Sequence, residues 1–69
     1  MFREDISGLV TRVESEYREM PGLQLTEPQM QRLWGLDVLT CREIIGILVT
    51  RCILVKTQRG AYALLLSTP

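Results

Sequence analysis

Histidine is absent from this chain, and other residues that carry chemistry are scarce. The 69 residues include two cysteines and one tryptophan, and no glycine-rich phosphate loop is present. Two cysteines without histidine cannot complete a zinc site within one chain. Nor can a nucleophile and an acid–base pair be assembled from the residues present. We therefore expect a protein that is not an enzyme and that takes no metal, cofactor or small-molecule substrate.

Long apolar runs are also missing. No stretch of 18 apolar residues occurs, and the opening sequence MFREDISG lacks the apolar centre of a signal peptide. These absences predict a soluble, intracellular protein of the cytoplasm with no membrane contact. The hydrophobic fraction of 46% is ordinary for a folded chain, so we predict one domain over residues 1–69.

The two cysteines, Cys41 and Cys52, fall in what we predict to be one helix. Their spacing separates them by ~16 Å along a helix, too far for a disulfide. We expect both to be buried thiols of the core, since free cysteine packs as a small hydrophobic residue. Metal or redox chemistry is the alternative.

Helix one is predicted over residues 3–20, because apolar residues recur at three- and four-residue steps. This stripe consists of Ile6, Leu9, Val10, Val13, Tyr17 and Met20. The opposite face is charged and mostly acidic. We interpret it as a solvated surface, with docking of a basic partner as the alternative.

Helix two is predicted over residues 27–35. Thr26 and Gln29 have the spacing of a capping box, and Gly35 supplies a left-handed end. Its inward-facing residues are expected to be Met30, Leu33 and Trp34. We interpret Trp34 as a core anchor, with a stacking or ligand-binding role as the alternative.

Helix three is predicted over residues 38–51, with Asp37 as its N-terminal cap. Its buried stripe is expected to be Cys41, Ile44, Ile45, Leu48 and Cys52. A hairpin is predicted over residues 53–65, with its turn at 58–60, and residues 23–25 alternate as a short first strand would.

The order of helix, turn, helix and hairpin predicts a mostly α, α+β fold, a winged helix-turn-helix with three helices and two or three short strands. The expected core is Ile6, Leu9, Val13, Tyr17, Leu33, Trp34, Leu36, Cys41, Ile44, Ile45, Leu48, Leu54 and Tyr62.

Charge is distributed unevenly, although the net charge is zero. Residues 1–25 carry three arginines against five acids, whereas residues 40–60 carry four basic side chains against Glu43 alone. The positive charge therefore falls on helix three and the hairpin, where a winged helix meets phosphates.

The string LWGLD-x-x-TC, residues 33–41, resembles the core of small bacterial winged-helix proteins. With the later Leu48, Leu54 and Gly60, it is more distantly similar to the winged helices of multiple-antibiotic-resistance-type repressors. The resemblance covers about two thirds of the chain, and the matching residues are structural ones.

This resemblance implies transcription regulation through double-stranded DNA, with helix 38–51 in the major groove and wing 56–60 on the backbone. Arg42 would contact a guanine edge, and Lys56 and Arg59 would hold phosphates. The implied contact residues are Thr40, Arg42, Gly46, Thr50, Lys56, Gln58 and Arg59, with Glu43 beside them.

Some residues on this face favour a second hypothesis, a protein-interaction or homodimer surface. Val38, Leu39 and Ile47 stand where a DNA reader usually carries polar side chains, and strand 61–66 is apolar on both faces. We expect that strand to lie at the edge of the sheet, where its exposed backbone groups would invite pairing with another chain. The expected interface residues are Val38, Leu39, Ile47, Leu64 and Leu66.

The basic residues also have simpler explanations. Arg42 is a solvated surface charge in the alternative interpretation, and Lys56 with Arg59 keeps the hairpin soluble. We attribute Arg51 to the favourable placement of a cation at a helix C-terminus.

Overall fold

Three helices and a small antiparallel sheet make up the fold, seen in a computed structural model that describes residues 5–65. The elements are α1 (Asp5–Glu19), β1 (Gln24–Leu25), α2 (Glu27–Trp34), α3 (Val38–Thr50), β2 (Leu54–Lys56) and β3 (Tyr62–Leu64). This is the predicted α+β class, in the order and pairing of a winged-helix-like fold. Within residues 5–65, no helix has the length and apolar character needed to cross a membrane.

The cap of α2 forms as the sequence predicts. The Thr26 amide donates to Gln29 Oε1 at 2.9 Å, and the Gln29 amide donates to Thr26 Oγ1 at 3.4 Å. Gly35 ends the helix in the left-handed region at φ 63°, and the Leu36 amide then donates to the carbonyl of Gln31 at 2.9 Å. Local sequence therefore fixes both ends of α2.

The first turn of α3 begins at the predicted cap, Asp37. The amide of Thr40 donates to its carboxylate at 3.4 Å. Hydrogen bonds from Thr40 hold the pKa of Asp37 below its ordinary value, because they favour the charged carboxylate. α3 thus starts directly after the break at Gly35, which sets the angle of the helix-turn-helix.

The end of α3 corrects the prediction for Cys52. The helix ends at Thr50, and Cys52 lies beyond it in the left-handed region, at φ 61°. Its amide donates to Val49 and that of Ile53 donates to Leu48, each at 2.9 Å, the pattern of a Schellman motif. The left-handed turn points Cys52 to solvent, so the expectation of two core thiols on one helix is wrong for Cys52 and right for Cys41.

The sheet has the order β1-β3-β2, with both pairings antiparallel. Leu25 and Lys56 both lie opposite Tyr62 in register. The expectation that the last strand lies at an edge is therefore wrong, because the two-residue strand β1 occupies its far side. The edges of the sheet are β1 and β2, and both faces of β3 are apolar in a strand that is paired on each side.

The core lies where α1, α3 and the inner face of the sheet meet. Its fully buried side chains are Tyr17, Met30, Ile44, Leu48, Leu54, Val13 and Cys41. Two predictions for the core are wrong: Leu33 is 55% exposed and Met20 is 57% exposed. Leu33 lies in the last turn of α2, and Met20 lies directly after the end of α1. Both positions are beyond the surface that the neighbouring helix covers.

Candidate nucleic-acid interface

The outer face of α3 is the surface that a winged helix would present to DNA. The burial pattern of α3 has a helical period: Cys41, Ile44, Ile45 and Leu48 are buried. The residues between them reach solvent and form the outer face: Val38, Leu39, Arg42, Gly46, Val49 and Thr50. Thr40 and Glu43 are half-buried at its border.

Apolar side chains make up much of the outer face. Leu39 is 75% exposed, Val38 is 45% exposed and Val49 is 40% exposed. An α-helix that is hydrophobic on all sides normally lies inside a protein or against a partner. This face is therefore suited to contact with another molecule.

Arg42 is held by an ion pair across the helix-turn-helix. Its Nε lies 3.3 Å from Oε1 of Glu27, in the first turn of α2. The Arg42 side chain is 65% exposed and that of Glu27 is 29% exposed. Such a pair contributes about 0.2–1 kcal/mol, so it positions Arg42 without locking it.

Glu27 is a residue of the candidate site that sequence reasoning missed. It stands next to the cap Thr26, and the pattern there indicated only the start of a helix. Its partner, Arg42, lies 15 positions later in the chain, so no local spacing connects them. Only the packing of α2 on α3 brings the two side chains together.

A groove lies between α3 and the hairpin, and we refer to it as the α3 groove. It has a volume of about 330 Å³. It is lined by Glu27 of α2, by Arg42, Gly46 and Val49 of α3, and by Lys56 of β2, beside the buried side chains of Ile45 and Tyr62. The predicted contact residues Arg42, Gly46 and Lys56 thus share one surface.

Strand alternation brings Lys56 to this groove. Lys56 lies on the same side of β2 as Leu54, which is buried against the helices, because side chains two apart share a face. Val55, between them, lies on the opposite face and is 40% exposed. Lys56 therefore faces α3 and lines the groove while it remains exposed to solvent.

The turn between β2 and β3 carries the other two residues predicted for the wing. The Thr57 amide donates to the Ala61 carbonyl at 2.7 Å, and the Ala61 amide donates to Thr57 Oγ1 at 3.2 Å. Gln58 and Arg59 are exposed at the tip. They lie outside the α3 groove and reach solvent beyond its rim.

The arginines of α1 form ion pairs, whereas several basic residues in other elements do not. On α1, Arg18 Nη2 lies 2.9 Å from Glu14 Oε2, and Arg12 Nε lies 3.9 Å from Glu16 Oε2. Arg51, the C-cap of α3, forms no ion pair within residues 5–65, and the same holds for Lys56 and Arg59. Arg32, in the last turn of α2, also forms no ion pair within residues 5–65. The uncompensated positive charge therefore lies at the ends of α2 and α3 and on the hairpin.

The residues predicted for a protein interface are spread over different environments. Val38 and Leu39 are exposed, whereas Ile47 and Leu64 are half-buried and pack against the core. Leu66 lies outside the described residues. Only Val38 and Leu39 of this set lie on the outer face of α3.

Trp34 packs against the core, as predicted, with its ring centroid 6.5 Å from that of Tyr17.

No family model, curated protein or solved structure matches the chain. The resemblance to small bacterial winged-helix proteins therefore stays a prediction from residues 33–41.

Proposed function

We propose that this chain binds duplex DNA as a small winged-helix transcription regulator. The observation that carries the proposal is the shared groove, where Arg42 and Gly46 of α3 face Lys56 of β2. A recognition helix and a wing act together only if both are presented to the same side. Here the helix and the hairpin supply basic groups to one surface.

In this proposal the outer face of α3 enters the major groove. Arg42 pairs with O6 and N7 of a guanine, and the exposed Leu39 contacts a thymine methyl group. Lys56, Gln58 and Arg59 contact phosphates and fix the register of the helix. Arg42 must leave Glu27 to do so, at a cost of about 0.2–1 kcal/mol.

Fluorescence anisotropy with a labelled random-sequence duplex at two salt concentrations tests this proposal. We expect Arg42→Ala to weaken binding, and Lys56→Ala with Arg59→Ala to weaken it and to lower the salt slope by about 2. Arg12→Ala is the matched control, because it removes a cation of α1 that is paired with Glu16. No binding at low salt, or equal losses in all three variants, would contradict the proposal.

A second function, protein contact through the outer face of α3, is favoured by the 75% exposure of Leu39. The partner in this case is a second copy of the chain, which would form a homodimer. Leu39→Lys separates the two functions. It abolishes self-association in sedimentation velocity if the face is a dimer interface, whereas it changes duplex affinity and leaves the oligomeric state as in the parent chain if the face meets DNA.

A further inference from the structure

The α3 groove combines apolar walls with one uncompensated charge. Ile45 and Tyr62, which line it, are both buried residues of the core. Of the charged residues that line it, Glu27 and Arg42 are paired with each other at 3.3 Å. Lys56 forms no ion pair within residues 5–65. The groove therefore suits an occupant that is mostly apolar and carries a single negative charge.

Tyr62 supplies a second polar group to the groove. This residue is only 8% exposed, and within residues 5–65 its hydroxyl has no hydrogen-bond partner. Over the same residues, no enclosed side-chain oxygen or nitrogen lacks a partner, so the hydroxyl is among the few atoms of Tyr62 that remain accessible. Because Tyr62 lines the groove, its hydroxyl is a free donor there.

The register of the hairpin places this hydroxyl-bearing side chain beside Lys56. Lys56 lies opposite Tyr62 in the antiparallel pair of β2 and β3. The amide of Thr57 donates to the carbonyl of Ala61 at 2.7 Å, which marks the adjacent pair as a hydrogen-bonded one. Because the two kinds of pair alternate, Lys56 and Tyr62 form a non-hydrogen-bonded pair, in which cross-strand side chains come closest. An ammonium group and a hydroxyl donor thus belong to neighbouring side chains on one face.

The size of the groove limits what it can hold. Its volume of about 330 Å³ is at the lower end of the range for small-molecule sites. A carboxylate can accept hydrogen bonds from an ammonium and a hydroxyl together. An aliphatic tail can lie along Ile45 and Val49 of the same groove. No sequence motif signals such a site, because its residues come from α2, α3, β2 and β3.

We propose that the α3 groove binds a small carboxylic acid with an aliphatic tail, of the medium-chain fatty-acid class. Its carboxylate accepts hydrogen bonds from the ammonium of Lys56 and the hydroxyl of Tyr62, and its tail packs on Ile45 and Val49. This inference goes beyond the proposed DNA binding and does not depend on it. Its test uses the chain alone, so either proposal can fail without the other.

An NMR titration of the isotope-labelled chain with sodium octanoate tests this site. Octanol, which has the same number of carbons and no charge, is the matched probe. We expect octanoate to shift the amide signals of Gly46, Val49 and Lys56, with a Kd of about 1 mM or tighter. Octanol should bind about fivefold more weakly or worse, because it cannot pair with the ammonium group.

Three variants assign the two polar contacts. Lys56→Gln should weaken octanoate binding by about fivefold or more and leave octanol binding unchanged. Tyr62→Phe should weaken octanoate binding by about threefold or more, because it removes the donor and keeps the ring. Arg59→Gln is the matched control, since it removes a cation from the exposed tip of the same hairpin, outside the groove. It should bind octanoate like the parent chain, and the spectrum of each variant shows that the fold is kept.

The comparisons distinguish a built site from general attraction. Equal affinity for octanoate and octanol would mean that apolar contact alone drives binding, and it would overturn the inference. Equal losses in Lys56→Gln and Arg59→Gln would mean that net charge acts instead of a positioned ammonium group, with the same consequence. A titration that leaves the amide signals of Gly46, Val49 and Lys56 unmoved would show that the groove does not bind the acid.

Discussion

The hydroxyl of Tyr17 donates a 2.7 Å hydrogen bond to the backbone carbonyl of Tyr62, across 45 positions of sequence. Tyr17 is fully buried in α1, and Tyr62 begins the central strand of the sheet. This bond ties the first helix to the strand that is paired on both sides. Because Tyr62 also lines the α3 groove, the bond connects the core to the candidate interface.

Tyr17→Phe should lower the free energy of unfolding by about 0.5–1.5 kcal/mol, because it removes a buried hydrogen bond between α1 and β3. Tyr62→Phe is the matched control, since within residues 5–65 the hydroxyl of Tyr62 has no hydrogen-bond partner. We expect a change below about 0.5 kcal/mol there. Urea denaturation of both variants measures the difference, and equal losses would contradict the role given to the Tyr17 bond.

The same tyrosine predicts a loss of stability at alkaline pH. Burial, and then the nearby Cys41, raises the pKa of Tyr17 above its ordinary value. Burial also raises the pKa of the Cys41 thiol, with the charge of Glu27 acting in the same direction. The folded state therefore holds both protons more tightly than the unfolded chain, so their contribution is complete at neutral pH and declines as the pH rises past the unfolded values.

Denaturation at pH 8, 10 and 11 should show this decline, with a limiting slope of about 1.4 kcal/mol per pH unit for each group. Tyr17→Phe should lower the slope above pH 10 by about 1.4 kcal/mol per pH unit, because the contribution of Tyr17 is lost and only that of the Cys41 thiol remains. A parent chain and a variant that lose stability in parallel above pH 10 would show that Tyr17 is not the group responsible.

Cys52→Gly should stabilise the fold by about 1 kcal/mol, because a side chain in the left-handed region is strained and glycine is not. The position is the left-handed residue of the Schellman motif that ends α3, at φ 61°. Cys52→Ala keeps the strain and should leave the melting temperature almost unchanged. Thermal melts under reducing conditions compare the three chains. If the glycine variant is no more stable than the alanine variant, the backbone at Cys52 is not strained and the prediction is wrong.

The parts of this fold that sequence predicts are those fixed by neighbouring residues. Thr26 and Gln29 cap α2, Asp37 caps α3, and Gly35 separates the two helices, all within a few positions of one another. The class of the fold follows from their order. Local hydrogen bonding decides these features, and the rest of the chain does not change them.

The parts that sequence does not predict depend on tertiary neighbours. The apolar period of a helix predicts which face is buried, but it does not predict how far along that face the neighbouring elements extend. For this reason Leu33 and Met20 are predicted to be buried and are in fact exposed. A two-residue strand such as β1 is too short to predict pairing, so β3 was expected at the edge. The same holds at the candidate site, where Glu27 meets Arg42 only because α2 packs on α3.

Glu27→Gln is the sharpest test of that pair. It removes an acid from the α3 groove and frees Arg42, so we expect affinity for the random-sequence duplex to rise several-fold and the salt slope to steepen by about 1. Stability should fall by about 1 kcal/mol, since the variant loses both an ion pair in which Arg42 is 65% exposed and a negative charge at the N-terminus of α2. Glu14→Gln is the matched control, because Glu14 is also paired with an arginine but lies on α1.

The control separates two causes of tighter binding. Both variants raise the net charge by one, so a long-range effect of charge would act in both. A gain confined to Glu27→Gln would mean that Arg42 itself reaches the duplex once its partner is gone. Equal gains in affinity in the two variants would mean that the change in net charge alone strengthens binding. The proposal that Arg42 contacts a guanine edge would then be wrong.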